Sequence, residues 1–211
     1  MLIPLADVPP AAETLRRLWT MLAHHSGGIL NASRLAAGLG VSSPTVGRYV
    51  DLLTDLGLLR RVPAWHANLG KRLVKAPKVY VRDTGLLHSL LELDDLNAVL
   101  GHPSAGPSYE SFVVDNVIAA AGGRFQAHHD RTAVGDEVDL VLVRGGRPVI
   151  GVEIKRSTSP TPSSGTRRAF RDLAVDSAYL VRPDTGPAYD SDGLTVIGLT
   201  ELVQRLRADH D

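Results

Sequence analysis

Asp139 stands inside the apolar run VDLVLV (138–143), and Glu153 and Lys155 stand inside VIGVEIK (149–155). A carboxylate in a buried strand is costly unless it is paired or holds a metal. Side chains alternate between the faces of a strand, so Glu153 and Lys155, two apart, share one face. An aspartate and a glutamate from adjacent strands can converge on one divalent ion, and such oxygen ligands suit Mg2+ or Mn2+. A lysine beside them can stabilise charge on a phosphate or help activate an attacking water. Glu110, on a helix that precedes these strands, supplies a further ligand or a base. Glu110, Asp139, Glu153 and Lys155 are therefore the candidate catalytic set, with Asp139 and Glu153 as the metal pair. The chemistry this set suits is metal-dependent phosphodiester cleavage. Each member also has a plainer reading. Glu110 in a helix's first turn favours the macrodipole. Asp139 can form a salt bridge beside the Gly135-Asp136-Glu137 turn, and Glu153 with Lys155 can be a neutralising pair at a strand end.

The elements that must position these residues read as follows. Residues 108–121 have helical periodicity (Tyr109, Phe112, Val113, Ile118, Ala121), and Gly122-Gly123 ends the run. A strand is expected over 124–129, then 138–143, a turn at Gly145-Gly146, and a strand over 149–155. A helix over 166–174, strands over 177–181 and 194–197, and a terminal helix opened by Thr200 complete an α/β layout around a mixed sheet. Ser157 to Gly165 reads as a short flexible loop.

The first half of the chain reads differently. Leu15, Leu18, Trp19 and Leu22 predict an amphipathic helix over about residues 11–24. Asn31 can cap a short helix carrying Leu35, Ala36 and Leu39, and Gly40 follows its end. Ser43 and Pro44 open a third helix, with Val46, Tyr49, Val50, Leu53 and Leu56 on one face. Thr45, Gly47 and Arg48 lie on the other. Small polar residues at the start of that helix suit close approach to a DNA groove, the helix-turn-helix arrangement. A strand over 57–62, a loop over 65–70 and a second extended run over 71–82 form a hairpin, the wing of a winged helix. Asp83 caps a further helix over 84–91.

Charge divides the chain. Lys+Arg and Asp+Glu are 23 each, so the net charge is zero and a whole-chain polycation is excluded. Yet Arg48 to Arg82 holds Arg48, Arg60, Arg61, Lys71, Arg72, Lys75, Lys78 and Arg82 against only Asp51 and Asp55. Such a stretch either attracts phosphate or is a solvated face. Thr45, Arg48, Arg60, Arg61, Lys71 and Arg72 are the nucleic-acid-binding candidates. The absence of cysteine excludes disulfides, thiolate zinc sites and iron–sulfur clusters. No stretch approaches the roughly 20 apolar residues of a membrane span. A cytoplasmic protein without membrane contact is expected. The 211 residues suit a first module over 1–92, a linker over 93–107 rich in Gly, Pro and Asp, and a second module over 108–211. His24-His25 and His128-His129 read as exposed or loop histidines, because adjacent strand residues point apart and chelate poorly. Trp19 and Trp65 read as packing residues.

The path from Glu110 through Arg131 and Glu137-Val138-Asp139 to GVEIK (151–155) resembles the PD-(D/E)xK nuclease-like superfamily. NLGKRLVKAPKVYVRDTGLLHSLL (68–91), YESFVVDNVI, DEVDLVLV and GVEIKRS together resemble the C-terminal domain of unknown function found on many prokaryotic AAA-type ATPases, over about residues 12–205. KVYVRDTG (78–85) is the most specific block. The resemblance implies a winged helix-turn-helix followed by a restriction-endonuclease-like α/β domain with a mixed central sheet. It implies active-site roles for Glu110, Asp139, Glu153 and Lys155, a phosphate contact for Arg131 and support of the metal shell by Glu137. It also implies an ATPase domain or other protein as a partner. The ATPase half is missing here. There is no G-x-x-x-x-G-K-[ST], since Trp65 stands where the first glycine before Gly70-Lys71 would be, so no ATP site is expected.

Three functions follow. The first is a metal-dependent DNA-processing nuclease, and the second is a non-catalytic DNA- or partner-binding module that directs an ATPase. The third is a stand-alone transcription regulator, which would need paired half-sites and a dimerisation helix that the chain does not display.

Overall fold

A computed structural model describes residues 10–65, 75–183 and 186–208. The chain divides into two units. The first comprises residues 1–61 and 79–108, the second residues 62–78 and 109–211. The second unit thus takes a segment from within the region expected to belong wholly to the first module.

In the first unit, α1 (Pro10–His24), α2 (Ala32–Leu39) and α3 (Ser43–Asp55) precede β2 (Leu59–Val62). The two-residue β1 (Gly28–Ile29) joins β2 and β3 (Lys78–Val81) in a small sheet of order β1-β3-β2. Asn31 caps α2 through Arg34 N–H, and Gly40 closes it in the left-handed conformation, as its lack of a Cβ permits. Ser42, not Ser43, caps α3 through Thr45 N–H, so the helix starts one residue earlier than its proline suggests. Leu18, Leu22, Val46, Val50, Leu53, Leu59, Val79, Val81 and Leu87 form the core. Leu56 was expected in that core but is 62% exposed, because it follows the last turn of α3 as its C-cap. Asp83 caps α4 (Thr84–Leu90) as expected. Residues 93–107, read as a linker, contain α5 (Leu96–Gly101), capped by Asp95.

The second unit is built on a six-stranded mixed sheet of order β4-β5-β6-β7-β9-β8. Its strands are β4 (Gln126–Arg131), β5 (Glu137–Arg144), β6 (Arg147–Ile154), β7 (Ser177–Arg182), β8 (Tyr189–Ser191) and β9 (Leu194–Gly198). The β4–β5, β5–β6 and β8–β9 pairs are antiparallel, and β6–β7 and β7–β9 are parallel. Gly145 and Gly146 turn β5 into β6 with positive φ at both positions. The sheet is accompanied by α6 (Ala105–Ala121), α7 (Ser164–Leu173) and α8 (Leu199–Ala208).

Phe170 and Ala169 of α7 pack with Val138, Val141 and Val143 of β5. Close approach needs a glycine on β6: a Cβ at Gly151 would lie 2.5 Å from the Phe170 ring. The chain from Pro63 to Trp65 runs beside β4, where His129 N–H donates to the Pro63 carbonyl (2.9 Å) and Trp65 N–H to the His129 carbonyl (2.7 Å). Among the described residues no helix is long and apolar enough to cross a membrane.

Candidate functional site

The register of β5 and β6 assembles the acids. Leu140 faces Val152 and Val141 faces Gly151, so one step further along the ladder Asp139 comes beside Glu153. Ile154 N–H donates to Asp139 Oδ2 at 2.9 Å. Both acids are buried, at 7% and 4% exposure. Glu137, two residues before Asp139, shares its face of β5. Glu110 arrives from α6. That helix begins at Ala105, three residues before its expected start, so Glu110 lies beyond the first turn, and the macrodipole reading of this residue falls away.

At the centre of these acids is Lys78. Its Nζ lies 2.6 Å from Glu137 Oε1, 2.8 Å from Asp139 Oδ1 and 3.0 Å from Glu110 Oε1. The side chain is 2% exposed. The sequence places Lys78 in the extended run of a wing and counts it with the basic stretch from Arg48 to Arg82, a phosphate-attracting or solvated face. The structure corrects this, because all four residues of β3 are buried and the lysine points into an acidic cluster. The reason is electrostatic. An ammonium out of water needs carboxylates around it, as they need it. Sequence reading missed Lys78 as a site residue. A lysine in an otherwise apolar strand, set against a surplus of strand carboxylates, was the available signal.

Lys155 follows β6 and binds Glu153 Oε1 at 2.7 Å, the neutralising pair foreseen as the plainer reading. Burial pushes the Glu153 carboxyl up to about 8, the Asp139 charge adds to this, and Lys155 offsets it only in part. For Lys155 burial opposes the charge, but Glu153, Asp139 and Glu110 outweigh it and raise its pKa. Arg131 donates to Glu137 Oε2 at 3.0 Å. The four expected catalytic residues are thus gathered in one place, and Arg131 and Glu137 are there with them.

Most oxygens of the acids assigned to a divalent ion already have partners. Asp139 has committed one oxygen to Lys78 and the other to Ile154 N–H. Glu153 has committed Oε1 to Lys155, while its buried Oε2 has no hydrogen-bond partner. Mg2+ keeps several waters and takes one or two carboxylates in a near-octahedral array, and here an ammonium lies 2.8 Å from Asp139 Oδ1. Among the described residues no group of three or more His, Asp or Glu side chains is set to hold a metal ion.

His129 was expected to be exposed or in a loop. It is fully buried on β4, its Nε2 donating to the Ala76 carbonyl at 3.1 Å. Burial lowers its pKa to about 4, with the Lys78 charge contributing, so the ring is neutral. The reason is local: Pro63–Trp65 covers β4. Trp65 packs edge-on against His128, and Trp19 packs against the core of the first unit, as packing residues should.

Of the residues expected to meet nucleic acid, Thr45 and Arg48 are together at the start of α3, where Arg48 Nη2 donates to Thr45 Oγ1 at 3.3 Å. Arg60 is half-buried on β2. Arg61 is tied to Asp51 at 2.7 Å, which cancels much of its charge. Lys71 and Arg72 lie outside the described residues.

Fold and site define an α/β protein of two units, with a buried acid–lysine cluster on a six-stranded mixed sheet. Residues 5–97 match a domain of unknown function (DUF8612), and residues 105–202 match another (DUF4143). Two relatives, Uncharacterized protein Rv2008c of Mycobacterium tuberculosis and Uncharacterized protein Mb2031c of Mycobacterium bovis, are each 40% identical over 205 residues, 93% of this chain and 46% of theirs. The chain therefore spans about half the length of these curated relatives. A solved chain in a half-complex of Thermococcus gammatolerans McrB AAA+ hexamers with bound McrC is 11% identical and covers 96% of this chain and 78% of its own, with a TM-score of 0.34.

Proposed function

We propose that this chain is a nucleic-acid-docking module associated with an ATPase, and that its PD-(D/E)xK-like domain does not hydrolyse DNA in the arrangement described. One observation carries the non-hydrolytic part: Lys78 Nζ is held by Glu110, Glu137 and Asp139, and Asp139 is one of the two acids assigned to the ion. The α1–α3 helices and the small sheet β1-β3-β2 are read as a winged helix. Docking is assigned to the start of α3, where Thr45 and Arg48 are accessible and small residues permit close approach. Arg60 and Arg72 would add phosphate contacts, and the binding would weaken with salt. The ATPase association is supported by the family resemblance of KVYVRDTG and the segments that follow it.

The test is direct. The chain is incubated with single- and double-stranded DNA in Mg2+ or Mn2+, and binding is measured across a salt series. Salt-dependent binding without cleavage is expected, surviving Glu153→Ala and weakening in the triple variant Arg48→Ala, Arg60→Ala, Arg72→Ala. Cleavage that disappears in both Asp139→Ala and Lys155→Ala would overturn the reading. That outcome would establish the competing one, a metal-dependent nuclease. The competing reading has its own support in the unpartnered Glu153 Oε2 and in Lys155 two residues further on.

A further inference from the structure

We infer that the ammonium of Lys78 is the resident cation of the Glu110, Glu137 and Asp139 cluster, and that this position accepts Mg2+ or Mn2+ only when the lysine side chain is removed. The inference deepens the non-hydrolytic reading of the site and rests on it.

Three features support it. First, the spacing is that of an ammonium. Mg2+ draws its oxygens to about 2.0–2.1 Å, whereas oxygens of Glu137, Asp139 and Glu110 stand 2.6, 2.8 and 3.0 Å from Nζ. An ammonium has three N–H donors and no acceptor, and the oxygens around it are all acceptors. Second, the three carboxylates come from two elements, α6 and β5, while the cation comes from a third, β3, which lies before both in the chain. The lysine is therefore built in by the fold, and it is 2% exposed. Third, a +2 ion placed among the same oxygens would lie within a few ångströms of the ammonium, and like charges repel strongly away from water. Deleting the lysine side chain reverses each of these conditions. It leaves the buried Asp139 and the partly exposed Glu110 and Glu137 without their cation, with space where the ammonium was, and the buried Glu153 Oε2 still lacking a partner.

The experiment compares the full wild-type chain, Lys78→Ala and the double variant Lys78→Ala/Asp139→Asn. All are stripped with chelator and titrated with Mn2+ alone, following free Mn2+ by electron paramagnetic resonance and the melting temperature in parallel. Lys78→Ala is expected to bind Mn2+ at least about tenfold more tightly than wild type and to melt higher as Mn2+ is added. The double variant should lose both effects. Equal binding by wild type and Lys78→Ala overturns the inference, as does a folded Lys78→Ala that binds no Mn2+. Should Lys78→Ala fold only with Mn2+ present, that rescue supports the inference. Should it fail to fold either way, the same titration of Lys78→Gln, which keeps most of the stem, decides by the same criteria. DNA cleavage by wild type would remove the non-hydrolytic reading and with it this inference. A null Mn2+ result without cleavage would remove only the resident-cation inference.

Discussion

Lys78 Nζ lies 2.8 Å from Asp139 Oδ1, although 61 positions separate the two residues in the chain. The contact joins β3 to β5, the second strand of the large sheet. It converts a set of strand carboxylates, read from the sequence as an ion-binding site, into a closed ion-pair cluster. A cluster of this kind is sensitive to the loss of either sign of charge.

The first prediction concerns that sensitivity. Lys78→Met in chelator should lose about 3–5 kcal/mol of stability, the usual consequence of stripping one partner from a buried ion pair. Urea unfolding measures it. In a double-mutant cycle, Lys78→Met with Asp139→Asn should lose clearly less than the sum of the single variants. Strict additivity would mean that the two side chains do not interact.

Glu153 gives a pH dependence with a definite sign. Its folded pKa, about 8, lies above its ordinary value of 4.5. The folded state therefore keeps a proton that the unfolded chain releases. The stability this confers is complete below about pH 4.5 and is lost as pH rises through about 8. In Glu153→Gln the loss should vanish, so the variant gains on wild type between pH 5 and pH 9. Parallel stability profiles for the two proteins would contradict this.

His129 runs the other way. Its folded pKa of about 4 lies below its ordinary value of 6.5, because burial disfavours the charged ring. The unfolded chain binds the proton first, so the stabilising contribution is complete above pH 6.5 and is lost as pH falls towards 4. The difference amounts to about 3 kcal/mol at one pKa unit per 1.36 kcal/mol. Histidine titration by NMR, with His129→Phe to assign the signal, should show one ring still neutral at pH 5. A titration near 6.5 would refute it.

Gly151 is a packing prediction. Gly151→Ala places a methyl group 2.5 Å from the Phe170 ring, which should cost about 1–3 kcal/mol by overpacking. Adding Phe170→Leu should restore part of the loss, since it removes the ring atoms that collide. Thermal unfolding of the two variants checks this, and an equally unstable double variant would place the conflict elsewhere.

Local signals carried much of the fold. Alternating apolar residues marked β5 and β6, helical periodicity marked α1 to α3, and Asn31 and Asp83 announced their helices. Each signal involves neighbours in the chain, where dihedral preference and side-chain spacing suffice. Two short strands escaped. β1 has two residues and β8 only three, largely polar, so neither has a period to display; their partners across the sheet make them strands. Helix ends shifted as well, because α6 begins at Ala105, before the periodic run that signalled it.

The site was legible by half. Glu110, Asp139, Glu153 and Lys155 were marked by residue type, since charge within an apolar strand must be compensated somewhere. What compensates it depends on register and on crossings between distant segments. The pairing of β5 with β6 sets Asp139 beside Glu153, and the course of the chain before α6 delivers Lys78 to both Glu110 and Asp139. Composition and spacing therefore established which groups needed a counter-charge. That the ammonium of Lys78 lies among them was decided by three-dimensional proximity, because Coulomb attraction between groups depends on distance in space and not on separation along the chain.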